Sequence, residues 1–398
     1  MFKRLLLALF SAAAIALPLC MASGNCIAGA QTEKSGQIVM EAYSERALFE
    51  ENADVVLPMA STTKILTAII IIEDCDLKDI VTVPKECVGV EGSSVYLTAG
   101  EKISVKNLLY GLMLRSGNDC AETLAFYHSG SIENFARYMN ERAKKMGAEN
   151  STFKNPHGLP DPEHCTTARD LGRIACHAMR NPIFREIVSA KSVTVPDGGA
   201  GYERMLTNKN KMLYRYDGAN GIKTGYTRAA GKCLVSGAER NGMQLISVVL
   251  NCPDMYERSA ELLDEAFASY KYVKIYAAEG MRYTAATQVK NKQCTGMCRD
   301  DFYYPVSETE AERIVIRAEI VEPCRLPVYE GDELGILSIY LENQLIFSQK
   351  IYSIECVKKS LVDIIREIAE NYSQNEGLCA SINISPSAAL RAGAPATN

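Results

Sequence analysis

The most constraining feature of this 398-residue sequence is a predicted helix at residues 62–73 that is apolar on nearly every side. Its apolar side chains are Ile65, Leu66, Ala68, Ile69, Ile70, Ile71 and Ile72. A helix without a polar face must be surrounded by other elements, so this helix is expected at the centre of a domain. The chain is long enough for two or three domains of ordinary size.

The segments around this central helix predict an α+β domain, with an antiparallel sheet flanked by helices, in residues 31–275. A hairpin is predicted at residues 36–50. Helices are predicted at 104–128, 131–147, 170–178 and 255–267 from their apolar periodicity. Strands are predicted at 221–227, 232–238 and 243–250, the last two joined by a tight turn at Asn241-Gly242.

The predicted secondary structure changes after the helix at 255–267. Residues 276–358 contain short strand patterns and turns without a long helix, which predicts a small all-β domain. Residues 359–373 follow as an amphipathic helix. Its apolar face consists of Leu361, Ile364, Ile365, Ile368 and Tyr372. The polar tail at 374–398 is expected to be disordered.

The first thirty residues resemble a secretory signal peptide. Lys3 and Arg4 precede an apolar run from Leu5 to Leu19, and Ala28-Gly29-Ala30 has the form of a cleavage site. The run is short for a transmembrane anchor. The residues before the two early cysteines do not fit a lipoprotein signal. We therefore expect a secreted protein of the extracytoplasmic cell envelope.

Charge and composition exclude several classes of function. The net charge of −5 and the pI of about 5.7 argue against nucleic acid as a partner. The four histidines lack metal-ligand spacing, so we expect no metal and no cofactor. Most cysteines are interpreted as small buried hydrophobic residues. Cys294 and Cys298, the closest pair, are a candidate for a local disulfide.

Three short motifs occur together in a fixed order. They are Ser61-Thr-Thr-Lys64 at the start of the central helix, Ser116-Gly117-Asn118 at a helix break, and Lys223-Thr224-Gly225 on a predicted strand. Each motif alone is common by chance. Their conjunction on suitable elements, with the second and third motifs beginning at residues 116 and 223, indicates a shared catalytic site.

This motif set is similar to that of the penicillin-binding D-alanyl-D-alanine carboxypeptidases, which are low-molecular-weight serine peptidases. The stretches at 58–67, 111–119, 155–159 and 221–227 also resemble the family, and the likeness extends over roughly residues 34–357. The resemblance implies a serine β-lactamase/DD-peptidase-like fold. It further implies a peptidoglycan stem peptide ending in D-Ala-D-Ala as substrate, and β-lactams as inhibitors.

The residue types of the three motifs fit acyl transfer. Ser61 is the expected nucleophile, and Lys64, three residues later on the same helix face, is its base. Lys64 must be neutral for this role, and burial or the charge of Lys223 would lower its pKa. Asn118 is expected to bind Lys64 and a substrate amide, and Ser116 to pass the proton to the leaving amine.

The family resemblance also assigns substrate-binding roles. The oxyanion would be bound by the backbone N–H groups of Ser61 and Tyr226, next to Gly225. Lys223 and Thr224 would hold the terminal carboxylate of the substrate. Arg258 resembles a further carboxylate contact, although an ordinary solvated helix charge is an equal alternative. His157 and His164 are interpreted as structural residues, because this chemistry uses lysine as the base.

The predicted function is a serine-type D-Ala-D-Ala carboxypeptidase that acts through an acyl-enzyme on Ser61. A class A-like β-lactamase is one alternative, but no Glu-x-x-Leu-Asn stretch occurs between the second and third motifs. An endopeptidase with the same chemistry and a non-catalytic penicillin-binding wall protein are two more. The intact motifs argue against the last. Residues 361–372 offer a possible peripheral membrane contact, although the acidic residues on their polar face disfavour anionic lipid.

Overall fold

The computed structural model describes residues 34–196 and 202–379, with side chains up to residue 371. The predicted signal peptide at 1–30 and residues 380–398 of the predicted tail lie outside the described residues. The described part of the chain divides between Ala268 and Ser269 into two compact units, each with its own hydrophobic core. The division therefore falls before the boundary predicted after residue 275.

The first unit is built on a five-stranded antiparallel sheet with the strand order β2-β1-β9-β8-β7. Its strands are β1 (Gly36–Glu41), β2 (Ala47–Glu51), β7 (Ala219–Thr227), β8 (Gly231–Arg240) and β9 (Met243–Leu250). Two small hairpins complete the unit: β3 (Ile80–Thr82) with β4 (Lys102–Ser104), and β5 (Ser192–Val195) with β6 (Arg204–Thr207). Both hairpins were missed by the sequence prediction.

In this unit, helices pack against one another and against the sheet. They are α1 (Lys64–Asp74), α2 (Val105–Leu114), α3 (Asn118–Ser129), α4 (Ile132–Lys145), α5 (Ala168–Arg180), α6 (Pro182–Ser189), α7 (Met212–Arg215) and α8 (Met255–Ser269). Every residue of α1 from Lys64 to Ile72 is buried, which confirms the prediction of a central helix. The α+β architecture with an antiparallel sheet is likewise confirmed.

The helical run predicted at 104–128, with a break at Gly117, consists of two helices, α2 and α3. Ser104 caps α2 by accepting a hydrogen bond from the backbone N–H of Asn107. The helical path ends at Arg115, and Ser116 adopts a left-handed conformation with φ of 64°. The chain therefore turns sharply, and α3 begins at Asn118 in a new direction. This turn carries the second motif.

The second unit is a small all-β domain followed by one helix. A five-stranded antiparallel sheet has the strand order β11-β12-β16-β15-β14, and β10 pairs with β13. The strands are β10 (Lys271–Tyr276), β11 (Tyr283–Ala286), β12 (Gln293–Met297), β13 (Phe302–Val306), β14 (Ile314–Ile320), β15 (Glu333–Leu341) and β16 (Gln344–Ser353). Helix α9 (Leu361–Cys379) extends past residue 373, so the predicted tail begins too early.

Cys294 and Cys298 are both free thiols. Cys294 lies on β12 and Cys298 just beyond its end, and four residues of extended chain span about 13 Å. This exceeds the Cα separation that a disulfide bridges, so the proposed local disulfide is wrong. Within residues 34–196 and 202–379, no group of three or more potential ligand side chains could hold a metal ion. The helices in the same ranges include none with the length and apolar character to cross a membrane.

Candidate active site

Ser61 lies in a single 3-10 turn, Ala60–Thr63, that leads directly into α1. In this tight turn, side chains three residues apart are eclipsed. The amine of Lys64 consequently lies 3.1 Å from the hydroxyl oxygen of Ser61. Ala60, just before the nucleophile, has a left-handed backbone with φ of 47°. The sequence predicted the pairing of these two side chains but placed Ser61 on the α-helix itself.

The Lys64 amine is fully buried and has three oxygen neighbours. Besides Ser61, it lies 2.7 Å from Oδ1 of Asn118 and 2.7 Å from the carbonyl oxygen of His157. Burial, together with the positive charge of Lys223, lowers the pKa of Lys64 well below its usual range. A neutral amine has two N–H donors and one lone pair. It can therefore donate to the amide and the carbonyl while accepting the proton of the Ser61 hydroxyl.

The second motif lies beside this amine at the start of α3. The Nδ2 group of Asn118 donates to the carbonyl oxygen of Glu91, and its backbone N–H donates to the carbonyl oxygen of Ser93. The side chain is thereby held with Oδ1 toward Lys64. Ser116, two residues earlier, is buried, and its left-handed backbone is unusual for a serine.

The third motif passes along the sheet edge next to the nucleophile. A Cβ atom on Gly225 would lie 3.0 Å from the backbone nitrogen of Ser61, so glycine allows β7 to approach this closely. Lys223 is buried, and its amine donates to the carbonyl oxygen of Thr224. Burial, aided by the charge of Lys209, lowers the pKa of Lys223 to about 7. Tyr226 is largely exposed.

Sequence reasoning missed Lys209, a third lysine that acts electrostatically on both motif lysines. Its amine donates to the hydroxyl of Ser93, 3.2 Å away. Burial lowers the pKa of Lys209 most, and the positive charge of Arg115 lowers it further. Lys209 belongs to none of the stretches singled out in the sequence, and only the fold brings it near the site, whereas Arg115 directly precedes Ser116.

The loop at residues 93–97 is a second feature without a local sequence signal. The buried carboxylate of Asp119 accepts hydrogen bonds from the backbone of Val95 and Leu97. On the other side, Arg204 donates to the carbonyl oxygens of Val95 and Tyr96. Arg204 is itself held by a buried, two-point ion pair with Glu101. The loop that contacts Asn118 is thus fixed from both sides.

Two histidines support the turn that carries the nucleophile. Nδ1 of His157 accepts from the backbone of Leu159, and Nε2 faces Glu122 at 3.2 Å. Nδ1 of His164 accepts from the backbone of Lys154, and Nε2 lies 2.8 Å from the hydroxyl of Thr63. Burial lowers the pKa of both rings, to about 3 for His164. This geometry agrees with the prediction of structural roles.

The structure contradicts the site assignment of Arg258. Its guanidinium donates to Oε1 of Gln37 on β1, pairs with Glu51 on β2 and stacks over Phe49. These strands form the edge of the sheet opposite to β7. Three strand spacings, about 14 Å, separate β1 from β7. The sequence shows that α8 follows the hairpin, but it does not show which strands that helix covers.

A profile of the D-alanyl-D-alanine carboxypeptidase family matches residues 25–254, more than half of the chain. The chain belongs to this family. A profile of the C-terminal domain of penicillin-binding protein 5 matches residues 270–359. The protein is therefore a serine peptidase of the D-Ala-D-Ala carboxypeptidase class, as predicted.

Relatives of known sequence and structure agree with this membership. The chain is 27% identical to the carboxypeptidase DacF of Bacillus subtilis over 346 residues, which cover 82% of this chain and 87% of that protein. It is 34% identical to DacB2 of Mycobacterium tuberculosis over 58% of this chain and 81% of that protein. The crystal structure of penicillin-binding protein 5 from Haemophilus influenzae superimposes with a TM-score of 0.68, at 26% identity over 81% of this chain and 97% of that one.

Proposed function

We propose that Ser61, Lys64, Ser116 and Asn118 carry out the family reaction in this chain, on a peptidoglycan stem peptide that ends in D-Ala-D-Ala. Ser61 attacks the carbonyl carbon of the penultimate D-Ala, and its proton passes to the neutral amine of Lys64. The new bond joins the Ser61 oxygen to that carbon. The observation that carries this proposal is the buried Lys64 amine, 3.1 Å from the Ser61 hydroxyl.

The leaving group needs the proton that Ser61 gave up. Lys64 returns it to the nitrogen of the terminal D-Ala through the hydroxyl of Ser116, and the amide C–N bond breaks. Water then attacks the acyl-enzyme and gives a proton to Lys64, which passes it to the departing Ser61 oxygen. The products are free D-Ala and a shortened stem peptide. A β-lactam acylates the same serine but leaves it slowly.

Substrate binding is assigned to the edge strand β7. An extended peptide can pair with the free edge of a sheet, and β7 forms that edge next to Ser61. The N–H groups of Ser61 and Tyr226 are the proposed oxyanion donors. Lys223 and Thr224 are proposed to bind the terminal carboxylate. Lys209 adds a positive charge that supports an anionic substrate end.

The test is intact-mass analysis of the protein after incubation with penicillin G, together with release of D-Ala from a diacyl pentapeptide. We expect a single penicillin adduct and D-Ala release, both lost in Ser61→Ala. A Ser61→Ala protein that keeps both would refute the proposal. Loss of penicillin without a lasting adduct would instead indicate β-lactamase turnover. Cleavage of a cross-linked dimeric peptide, measured in parallel, separates endopeptidase from carboxypeptidase activity.

We also propose that the mature protein is secreted to the cell envelope and touches the membrane through residues 361–372. The apolar side chains of α9 are open to solvent, from 78% exposed at Leu361 to 41% at Ile364. Asp363 pairs with Lys292, and Glu367 pairs with Lys359, so two acidic groups of the polar face are neutralised. This weakens the electrostatic argument against anionic lipid. Deletion of 359–398 should shift the protein from the membrane to the soluble fraction. An unchanged distribution would refute membrane contact through residues 361–372.

A further inference from the structure

The second unit has an unprotected sheet edge at β14. This strand pairs with β15 on one side only, and no described strand of residues 269–379 pairs with its other side. Several of its apolar side chains are open to solvent, including Ile316 at 44% and Val321, just beyond the strand, at 66%. Open apolar edges promote pairing with another strand, and proteins usually protect them.

The sequence of this edge is self-complementary about Ala318. Reading outward in both directions gives one pair of opposite charges and two pairs of identical residues: Arg317 with Glu319, Ile316 with Ile320, and Val315 with Val321. An antiparallel copy of the same strand, centred on Ala318, would therefore meet matching side chains at every position. Charged residues that prevent an edge from pairing with itself would place like charges opposite one another. In this arrangement Arg317 and Glu319 place opposite charges together, and they attract.

The backbone N–H and carbonyl groups of β14 point in the directions that this pairing requires. The N–H of Val321 donates to the carbonyl oxygen of Leu334 on β15, and the β14–β15 register is unbroken. Because hydrogen-bonding direction alternates along an antiparallel strand, the odd-numbered residues bond to β15. The N–H and carbonyl groups of Ile316, Ala318 and Ile320 therefore point to the open edge. Centring on Ala318 pairs these same even-numbered residues with one another.

The charged pair occupies the more favourable type of position. In the proposed register, Arg317 of one copy faces Glu319 of the other in a non-hydrogen-bonded pair, where side chains are closest. Two such ion pairs form, one on each side of the two-fold axis. The Arg317 guanidinium already lies over the ring of Tyr340, 5.2 Å from its centroid, which holds it on this face of the sheet.

We infer that β14 is a dimerisation edge, and that its partner is β14 of a second copy of this chain. The two five-stranded sheets join into one continuous ten-stranded sheet across a two-fold axis at Ala318. This inference is independent of the proposed active-site chemistry. One strand pair is a small interface, so we expect a weak dimer with a Kd on the order of 10 μM or above.

The test is sedimentation equilibrium of the protein lacking only residues 1–30, from about 1 μM to about 1 mM. Arg317→Glu and Glu319→Arg each place like charges opposite one another twice, and each should weaken the dimer about tenfold. The double variant restores both ion pairs with exchanged signs and should dimerise like the parent. Rescue by the double variant is specific to self-pairing in this register.

Two further variants separate the edge from general effects. Ala318→Pro removes an N–H that points to the open edge and leaves the β15 ladder intact, so it should abolish the dimer without unfolding. Lys350→Glu makes the same charge change as Arg317→Glu on β16, away from the edge, and should leave the dimer unchanged.

Three results would overturn the inference. One is a parent chain that stays monomeric at the highest concentration. Another is a dimer that neither Arg317→Glu nor Ala318→Pro weakens, because its interface must lie elsewhere. The third is a monomer whose Ile316, Ala318 and Ile320 amides are protected from hydrogen exchange, because another segment of the same chain would then cover the edge.

Discussion

The amine of Lys64 lies 3.1 Å from the hydroxyl oxygen of Ser61, in a site where that amine is completely buried. Its other two neighbours, Oδ1 of Asn118 and the carbonyl of His157, are both acceptors. A neutral lysine satisfies all three contacts, because its single lone pair is left for the serine proton. Burial and the positive charge of Lys223 favour this neutral state, which is the one that the reaction needs.

Removal of this base should stop acylation without unfolding the protein. Lys64→Met keeps the length and apolar stem of the side chain, and we expect the penicillin acylation rate to fall by about a thousandfold. The melting temperature should fall only modestly, because Asn118 and His157 each lose one hydrogen-bond donor while the apolar stem is kept. Stopped-flow or timed intact-mass measurements give the rate, with Lys154→Met as a surface control. Acylation within tenfold of the parent would rule out Lys64 as the base.

The pKa shifts of two lysines predict a bell-shaped pH profile for kcat/KM. Lys64 must be neutral, so activity rises as pH increases through its lowered pKa. Lys223 must be protonated to bind the substrate carboxylate, and its pKa of about 7 means that activity falls above that pH. A peptide with a C-terminal amide should lack this alkaline fall. An identical fall for both peptides would show that Lys223 does not bind the carboxylate.

Gly158 should tolerate no side chain. A Cβ atom there would lie 1.9 Å from the carbonyl oxygen of Ala60, so Gly158→Ala must displace the turn that carries Ser61. We expect a loss of about 3 kcal/mol or more in unfolding free energy, and loss of acylation. Gly130 also has a positive φ but has no atom within 4 Å of the Cβ position. Gly130→Ala should therefore cost only about 1–2 kcal/mol and keep its activity. Equal effects of the two changes would contradict this account.

The buried ion pair between Arg204 and Glu101 should be a large contributor to local stability. Arg204→Met leaves the Glu101 carboxylate buried without its partner, which typically costs about 3–5 kcal/mol. The exposed pair Lys154–Glu163 is the control, and Lys154→Met should cost less than about 1 kcal/mol. Urea unfolding monitored in the first unit measures both. Acylation should also slow in Arg204→Met, because the carbonyls of Val95 and Tyr96 lose their donor.

Local patterns explain which parts of the fold were predictable. The helix α1 is apolar on all sides, and the hairpin of β8 and β9 turns at Asn241-Gly242, so both were read from adjacent residues. The strands β3 to β6 have only three or four residues each, too few for a hydrophobic period to emerge. The break between α2 and α3 was predicted at Gly117 of the second motif, although apolar periodicity alone continues to residue 128, and the left-handed backbone of Ser116 ends the first helix.

The same distinction between local and long-range contacts explains which residues of the candidate site were predictable. Ser61 and Lys64 are three residues apart, so their contact follows from local geometry alone. Lys209 and the clamp from Arg204 reach the site through contacts more than a hundred residues apart in sequence, and no short motif encodes them. Arg258 was misassigned for a related reason: its position depends on the order of strands in the sheet.

The left-handed backbone of Ala60 and Ser116 determines whether the site can be transferred to another protein. Each conformation costs about 1–2 kcal/mol relative to an ordinary backbone, and the surrounding domain must supply that energy. A peptide carrying the Ser-x-x-Lys motif would relax to a cheaper backbone and lose the short distance between hydroxyl and amine. Transfer of the motifs to another scaffold should therefore fail unless the glycine beneath Ala60 and the carboxylate beside Asn118 are transferred as well. The reactive serine is thus a property of the assembled domain rather than of its motif.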